Sequence, residues 1–210
     1  MYPKYVEVNG KKYNINTDFR IAIKCDEIGR DATISIYERP LAIIYLLFGE
    51  EALEDYENHQ ELLELAKKFL SCNKEVKSEK EPDVDLTQDF DYIKASFRSD
   101  YSIDLNKENM HWWEFCNLLN GLSNSELGNC CILNRIRNLR NFDTSKIKDP
   151  KEKAKIEEAK RQVALNKRAK KEYTQEEKDN MNLFFKQIEG DTNEWWTSCN
   201  SSRYGYQNVW

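Results

Sequence analysis

The first ordered pattern along the chain is an alternation. Over YVEVNGKKYNI (5–15), Val6 and Val8 alternate with their neighbours, Asn9-Gly10 follows, and Tyr13 and Ile15 resume the apolar series. A period of two marks a half-buried strand, and Asn-Gly supplies the two positive-φ positions of a type I′ turn. The pattern therefore predicts a β-hairpin. Two strands alone are marginal in water, so the hairpin must lie on a helical layer or pair with another chain.

Asn16-Thr17-Asp18 then stops the strand and caps a helix over about 18–29, with Phe19, Ala22 and Ile23 on one face and Gly29 at its end. A second helix runs from about Arg39 to Phe48. Pro40 suits its first turn, and apolar positions almost all the way round predict a central, buried element. A third spans about 51–70, with Leu53, Tyr56, Leu62, Leu63, Leu65, Ala66, Phe69 and Leu70 as its stripe and Glu54, Glu57, Glu61 and Glu64 outward. Residues 71–86 are polar and mixed in charge, and read as a flexible linker. Helices of about 88–100 (Phe90, Ile93, Phe97), 107–121 (Trp112, Trp113, Phe115, Leu118, Leu119) and from Ser123 or Ser125 to about 140 follow. Asn106 is the expected cap of the middle one. In the last, Leu127, Cys131, Ile132, Ile136 and Leu139 point inward, and Arg135, Arg137 and Arg140 partly outward.

From 146 the character changes. Asp149-Pro150 opens a long charged helix in which Ile156, Val163 and Leu165 are too few for a core, as expected of a projecting helix or one that folds against a partner. Thr174-x-x-Glu177 reads as a capping box for a shorter helix with Met181, Phe184, Phe185 and Ile188, ended by Gly190. The last stretch, 191–210, is irregular by pattern yet holds Trp195, Trp196 and Trp210. Exposed tryptophans are costly, so these side chains are expected to dock on something, with Phe184 and Phe185 as further partner contacts. The fold class is thus mainly α: an N-terminal β-hairpin packed on a bundle of about five to six helices, with a charged C-terminal helical extension. The expected division is a core domain over 1–145, the extension over 146–190 and the Trp-rich tail over 191–210. No internal repeat is visible.

Composition changes this picture little. At 210 residues, 40% apolar and 33% charged, the chain can build a core beneath a highly charged surface, and 7 Gly with 4 Pro disfavour a turn-dense all-β fold. The longest apolar run, Leu41 to Phe48, is well short of a bilayer span, and MYPKYVEVNG does not read as a signal peptide. A soluble protein of the reducing cytoplasm, without membrane contact, is expected. The net charge of −5 gives no reason to make nucleic acid the main partner. Charge is nevertheless polarised: residues 50–108 hold 17 acidic against 8 basic side chains, and residues 146–189 hold 13 basic against 9 acidic. Arg135, Arg137 and Arg140, with Lys146 and Lys148, form the one stretch that could track phosphates. The acids interleaved nearby argue against a face of one sign. Contact between acidic and basic faces of identical subunits explains the polarity at least as well, and predicts a homo-oligomer.

Candidate chemistry is sparse. Cys25, Cys72, Cys116, Cys130, Cys131 and Cys199 are scattered without a C-x-x-C pair, so reduced, buried thiols are expected in place of a zinc site. There is no phosphate-binding glycine loop and no H-E-x-x-H. His111-Trp112-Trp113-Glu114-Phe115 admits two readings. In one, His111 acts as a base or ligand beside Glu114; in the other, the aromatics fill the core and His111 bonds a backbone group near a helix start. The second is favoured. Asp89, Asp91 and Asp100 are not spaced as a metal site. No catalytic residue, cofactor or metal is expected, and the chain is read as a non-enzyme.

Several of these segments together resemble the bacteriophage gene product fifteen family of tailed phages and prophages. The resemblance rests on INTDFR (15–20), LLFGEEAL at the end of the apolar helix, DFDYIKASFRSDYSIDL (89–105), MHWWEFCNLLNGL (110–122) and the following NRIRN. It covers about residues 5–165. It implies a tail-morphogenesis protein, similar by gene position to tail assembly chaperones, which are helical proteins that coat the tape measure protein before tube subunits replace them. The implied partners are the tape measure or other tail proteins, met in the host bacterial cytoplasm. The family carries no catalytic residues to transfer. Other readings of the same sequence are a structural component retained in the tail and a nucleic-acid-binding regulator.

Overall fold

The computed structural model describes residues 1–74, 82–124 and 130–166. In chain order these form strands β1 (Tyr5–Val8) and β2 (Lys11–Asn14), then helices α1 (Phe19–Arg30), α2 (Glu38–Phe48), α3 (Glu50–Glu54), α4 (His59–Leu70), α5 (Phe90–Tyr101), α6 (Trp112–Asn120), α7 (Ile132–Asn141) and α8 (Pro150–Gln162). The mainly helical class with an N-terminal hairpin is therefore as expected. Two compact units are present: one draws on Met1–Glu81 and Asn109–Cys116, the other on Pro82–Glu108 and Asn117–Arg168. Among the described residues, no helix is long and apolar enough to cross a membrane.

In the first unit, Asn9 (φ 49°) and Gly10 (φ 80°) adopt the left-handed geometry that a type I′ turn requires. The register sets Val8 against Lys11 and Val6 against Tyr13. This puts Val6, Val8, Lys11 and Tyr13 on one face; Val8 and Tyr13 are buried, while Tyr5, Glu7, Lys12 and Asn14 face water. The hairpin is tied to α2 by the Asn16 amide, which donates to the Leu47 carbonyl at 2.7 Å. Asp18 caps α1 as expected, accepting from the Arg20 amide at 2.8 Å.

The helix expected over 51–70 is broken. α3 ends at Glu54, residues Tyr56–Asn58 form a 3₁₀ turn, and α4 starts at His59. The hairpin causes the break. Asp55 accepts from the Tyr13 hydroxyl at 2.5 Å and from Lys11 Nζ at 3.1 Å. Asn58 donates to the Tyr13 hydroxyl (3.2 Å) and accepts from Asn9 Nδ2 (2.7 Å). Long-range bonds thus override helix propensity at these positions. The Leu53 carbonyl, which the break separates from its helical partner, accepts instead from Nε2 of buried His59 at 2.9 Å.

A later stretch of chain closes this unit. Its backbone pairs with the start of α1: the Phe19 amide donates to the Met110 carbonyl (3.1 Å) and the Trp112 amide to the Thr17 carbonyl (2.7 Å). This delivers the first turns of α6. Phe115 stacks on Phe19 with centroids 4.8 Å apart, and Trp112 stacks on Phe115 at 5.6 Å. All three rings are fully buried, each contributing about 1.5–3 kcal/mol or more of burial free energy. α6 starts at Trp112, later than the expected start near 107 with an Asn106 cap. Asn106 and Lys107 instead turn about Asp104, whose side chain accepts from the Asn106 amide (3.1 Å) and whose carbonyl accepts from the Lys107 amide (2.9 Å).

The second unit holds α5, the end of α6, α7 and α8. The stretch read as a linker over 71–86 is described only at its ends, and at the far end Val84 and Leu86 are buried. α7 starts at Ile132, later than Ser123 or Ser125, because Cys131 serves as its cap and the Cys131 amide donates back to the Ser123 carbonyl at 3.1 Å. Asp149 caps α8 with Pro150 at the first helical position, as expected, accepting from the Lys151 amide at 2.9 Å. The expected projecting helix lies against its own unit. Lys160 Nζ reaches the Phe142 carbonyl at 2.6 Å and Arg140 Nε the Val163 carbonyl at 2.6 Å, although no residue of α8 is buried.

Two predictions follow from the hairpin contacts. Replacing Tyr13 with Phe leaves Asp55 and Asn58 short of a partner, and is expected to cost about 1–3 kcal/mol, read as a lower urea midpoint. The Tyr13 hydroxyl and then Lys11 hold the Asp55 carboxyl below the usual aspartate range. A depressed folded value stabilises fully above the ordinary aspartate range, and this contribution is lost as pH falls through the folded value. The urea midpoint of the wild type should therefore drop below about pH 4, and by more than that of Asp55→Asn.

Candidate functional site

Three side chains are the candidates for a basic contact: Arg135, Arg137 and Arg140. The structure gives them different roles. Arg140 turns inward from α7. Its guanidinium bonds both carboxylate oxygens of Asp89 at 2.7 Å, the Asp83 carbonyl at 2.8 Å and the Val163 carbonyl. The Arg140 and Asp89 side chains are 8% and 0% exposed. Asp89 also accepts from the Asp85 amide at 2.9 Å. Arg137 pairs with Asp83 at 3.1 Å and also donates to Asn134 Oδ1 at 3.0 Å. Arg135 is exposed. The carboxylates responsible, Asp83 and Asp89, lie more than fifty residues upstream, which is why helical periodicity around 135–140 could not reveal them.

Around this ion pair the second unit is fastened by polar side chains on backbone groups. Buried Asn134 donates from Nδ2 to the Leu122 and Ser123 carbonyls, both at 3.1 Å. Ser96 Oγ accepts from the Leu133 amide at 3.1 Å and donates to the Tyr92 carbonyl. Asp100 accepts from the Ser123 amide at 2.8 Å. Burial works to raise the Asp100 carboxyl, but the Ser123 amide and the Ser99 hydroxyl outweigh it and hold it below the ordinary value. Gln88 bonds both ways with the chain after α8, donating to the Ala164 carbonyl (2.9 Å) and accepting from the Asn166 amide (2.8 Å).

In the first unit the tempting stretch at 111–115 resolves clearly. His111 Nδ1 accepts from the Trp113 amide at 3.0 Å, so the ring caps α6. That fixes the proton on Nε2, which donates to the Pro3 carbonyl at 2.9 Å. Both ring nitrogens are thus taken up by main chain, and Glu114 points to water. The indoles of Trp112 and Trp113 donate to the Leu70 and Phe69 carbonyls at 3.0 and 2.8 Å, the last two residues of α4.

A half-exposed aromatic cluster is built on this framework. Tyr2 stacks on His111 at 4.9 Å and meets the edge of Trp113 at 6.3 Å, with Phe69 beneath at 5.8–6.3 Å. Tyr2 is 37% exposed, and outside this cluster Tyr5, Tyr45 and Tyr56 are 51%, 52% and 75% exposed. Sequence reading missed these: Tyr56 fitted a helical stripe that the break at Asp55 dissolves, and Tyr2 precedes the hairpin pattern. The five contact residues expected from sequence, Phe184, Phe185, Trp195, Trp196 and Trp210, lie outside the described residues. Among the described residues, no three His, Cys, Asp or Glu side chains gather as a metal site. Cys25, Cys72, Cys116, Cys130 and Cys131 are not joined in disulfides; Cys25, Cys116 and Cys131 are buried, Cys72 and Cys130 half-buried. Cys199 is outside the described residues.

The class is a hairpin-led, mainly helical chain with an aromatic cluster at its surface. The family model "Bacteriophage Gp15 protein" matches residues 2–165, and the chain belongs to that family of phage proteins. No curated protein and no solved structure shows significant similarity to it. The family match stops where α8 and its Gln88 clasp end.

Removing the Arg140 side chain leaves Asp89 buried and unpaired. Arg140→Ala should therefore destabilise the chain by about 3–5 kcal/mol, whereas joint replacement with apolar residues (Asp89→Leu with Arg140→Met) should recover most of the loss in a thermal or urea melt.

Proposed function

We propose that this phage protein is a non-enzymatic tail assembly factor that binds the tape measure protein during tail morphogenesis, as a chaperone. The observation that carries this reading is the set of exposed tyrosines, Tyr2, Tyr5, Tyr45 and Tyr56, on an otherwise charged chain. Large aromatic side chains left in water suit contact with another polypeptide. Family membership supports the phage context, and the capping role of His111 argues against acid–base work at the one stretch that suggested it. A tape measure is a long helical chain with apolar stripes, prone to aggregate until assembled. A holder for it needs apolar contact area beneath enough charge to stay dissolved. In this proposal the protein acts in the host cytoplasm as a homo-oligomer, and neither membrane nor nucleic acid is a partner.

Co-expression with the cognate tape measure protein is the test. The two should copurify, and replacing Tyr45 and Tyr56 with Ser should lower the recovered tape measure about tenfold, the loss of about 1.4 kcal/mol that an aromatic contact supplies. Mass spectrometry of finished particles separates the chaperone from a tail component: a chaperone is absent from them. A form lacking residues 174–210 that binds equally well removes the tryptophan-rich tail from the account.

A further inference from the structure

The proposed function makes no use of the thiols, yet two of them are brought together by the same contacts that close the first unit. α4 ends at Leu70 and the chain reverses at once: the Ser71 amide bonds the Lys67 carbonyl (2.9 Å), the Cys72 amide that of Phe69 (3.1 Å) and the Asn73 amide that of Lys68 (2.8 Å). Cys72 and Asn73 are both left-handed, at φ 53° and 57°. A non-glycine residue there is uncommon, and two in succession fold the turn tightly against the helix end. α6 meets this helix end through the Trp112 and Trp113 indoles on the Leu70 and Phe69 carbonyls. Cys116 lies four residues beyond Trp112 and three beyond Trp113, so it projects from the same face of α6 one turn further on. The outcome is a hydrogen bond between the side chains of Cys72 and Cys116.

We propose that Cys72 and Cys116 form a redox-active dithiol that closes to an intramolecular disulfide when the chain meets a peroxide. Cys72 is the attacking group, being half-buried where Cys116 is only 3% exposed. The hydrogen bond from Cys116, reinforced by Lys74 against the opposing effect of burial, holds the Cys72 thiol below its ordinary value and favours the nucleophilic thiolate. Cys25 provides the contrast: on α1, burial pushes it up to about 12. The Cys72 thiolate attacks one peroxide oxygen, the O–O bond breaks, and hydroxide leaves to be protonated to water. Cys72 is then a sulfenic acid. The Cys116 thiol gives up its proton and its sulfur attacks Cys72, expelling a second water. Two thiols and one peroxide thus give one disulfide and two waters, with each sulfur losing one electron.

The test uses the full chain, reduced and then exposed to a small excess of hydrogen peroxide. Remaining thiols are alkylated with N-ethylmaleimide and the protein is mapped by non-reducing proteolysis and mass spectrometry. A peptide pair joining Cys72 to Cys116 should appear, about 2 Da lighter than the sum of its reduced parts, and dithiothreitol should reverse it. In a Cys116→Ser variant, oxidation should stop at Cys72 as a sulfenic acid that dimedone traps. Persistence of both alkylated thiols in the peroxide-treated wild type overturns the proposal. So does pairing of either residue with another cysteine or another chain. The wild-type map decides the matter even where the variant does not fold.

Discussion

Main-chain groups at the ends of helices and strands need partners once they are buried. This chain meets the demand with side chains, some from nearby and others from far away in sequence. His111 caps α6 and also reaches Pro3; Trp112 and Trp113 cover the last carbonyls of α4; His59 covers Leu53. In the second unit, Asn134 holds the Leu122 and Ser123 carbonyls, and Arg140 holds Asp83 and Val163 while neutralising Asp89. Buried polar atoms are expensive unless bonded, so each of these side chains admits few alternative placements. The apolar core supplies most of the driving force, and these bonds choose the arrangement in which it is made.

The elements that sequence patterning made legible are those with purely local causes. Asn9-Gly10 dictates its turn, Asp18 and Asp149 cap the helices that follow them, and the all-round apolar character of the 39–48 segment matches the burial of Ile43, Ile44, Leu47 and Phe48. Where the reading departed from the structure, a side-chain bond that periodicity does not report was responsible. Asp55 and Asn58 leave the helix for Tyr13 and Asn9. Asn106 joins a turn about Asp104, so its cap falls to His111. The candidate basic contact follows the same logic, since the guanidinium of Arg140 is aimed at a carboxylate fifty-one residues away. Periodicity reports which face of a helix is wet on average, and a buried ion pair is invisible to it.

The function proposed here fits this economy of polar groups. Side chains that might have done chemistry, His111 and Asp89 among them, are occupied in holding backbone, whereas tyrosines are left at the surface. Exposed aromatic rings are a poor choice for a chain that only needs to stay dissolved, and a sensible one for a chain that grips another polypeptide for a time. Residues 2–165, over which the family likeness runs, take in the hairpin and every helix from α1 to the whole of α8.

The first unit is discontinuous, and this has a consequence for its synthesis. Phe19 leaves the ribosome well before the rings that cover it: Phe115, stacked on it, and Trp112, stacked in turn on Phe115, are made some ninety residues later. At translation speeds of about 5–20 residues per second, several seconds pass with the nascent hairpin and its first helices lacking their lid. A messenger truncated before the codon for Trp112 would yield a product that cannot complete its own interior, and quality-control proteases would be expected to treat it as unfolded.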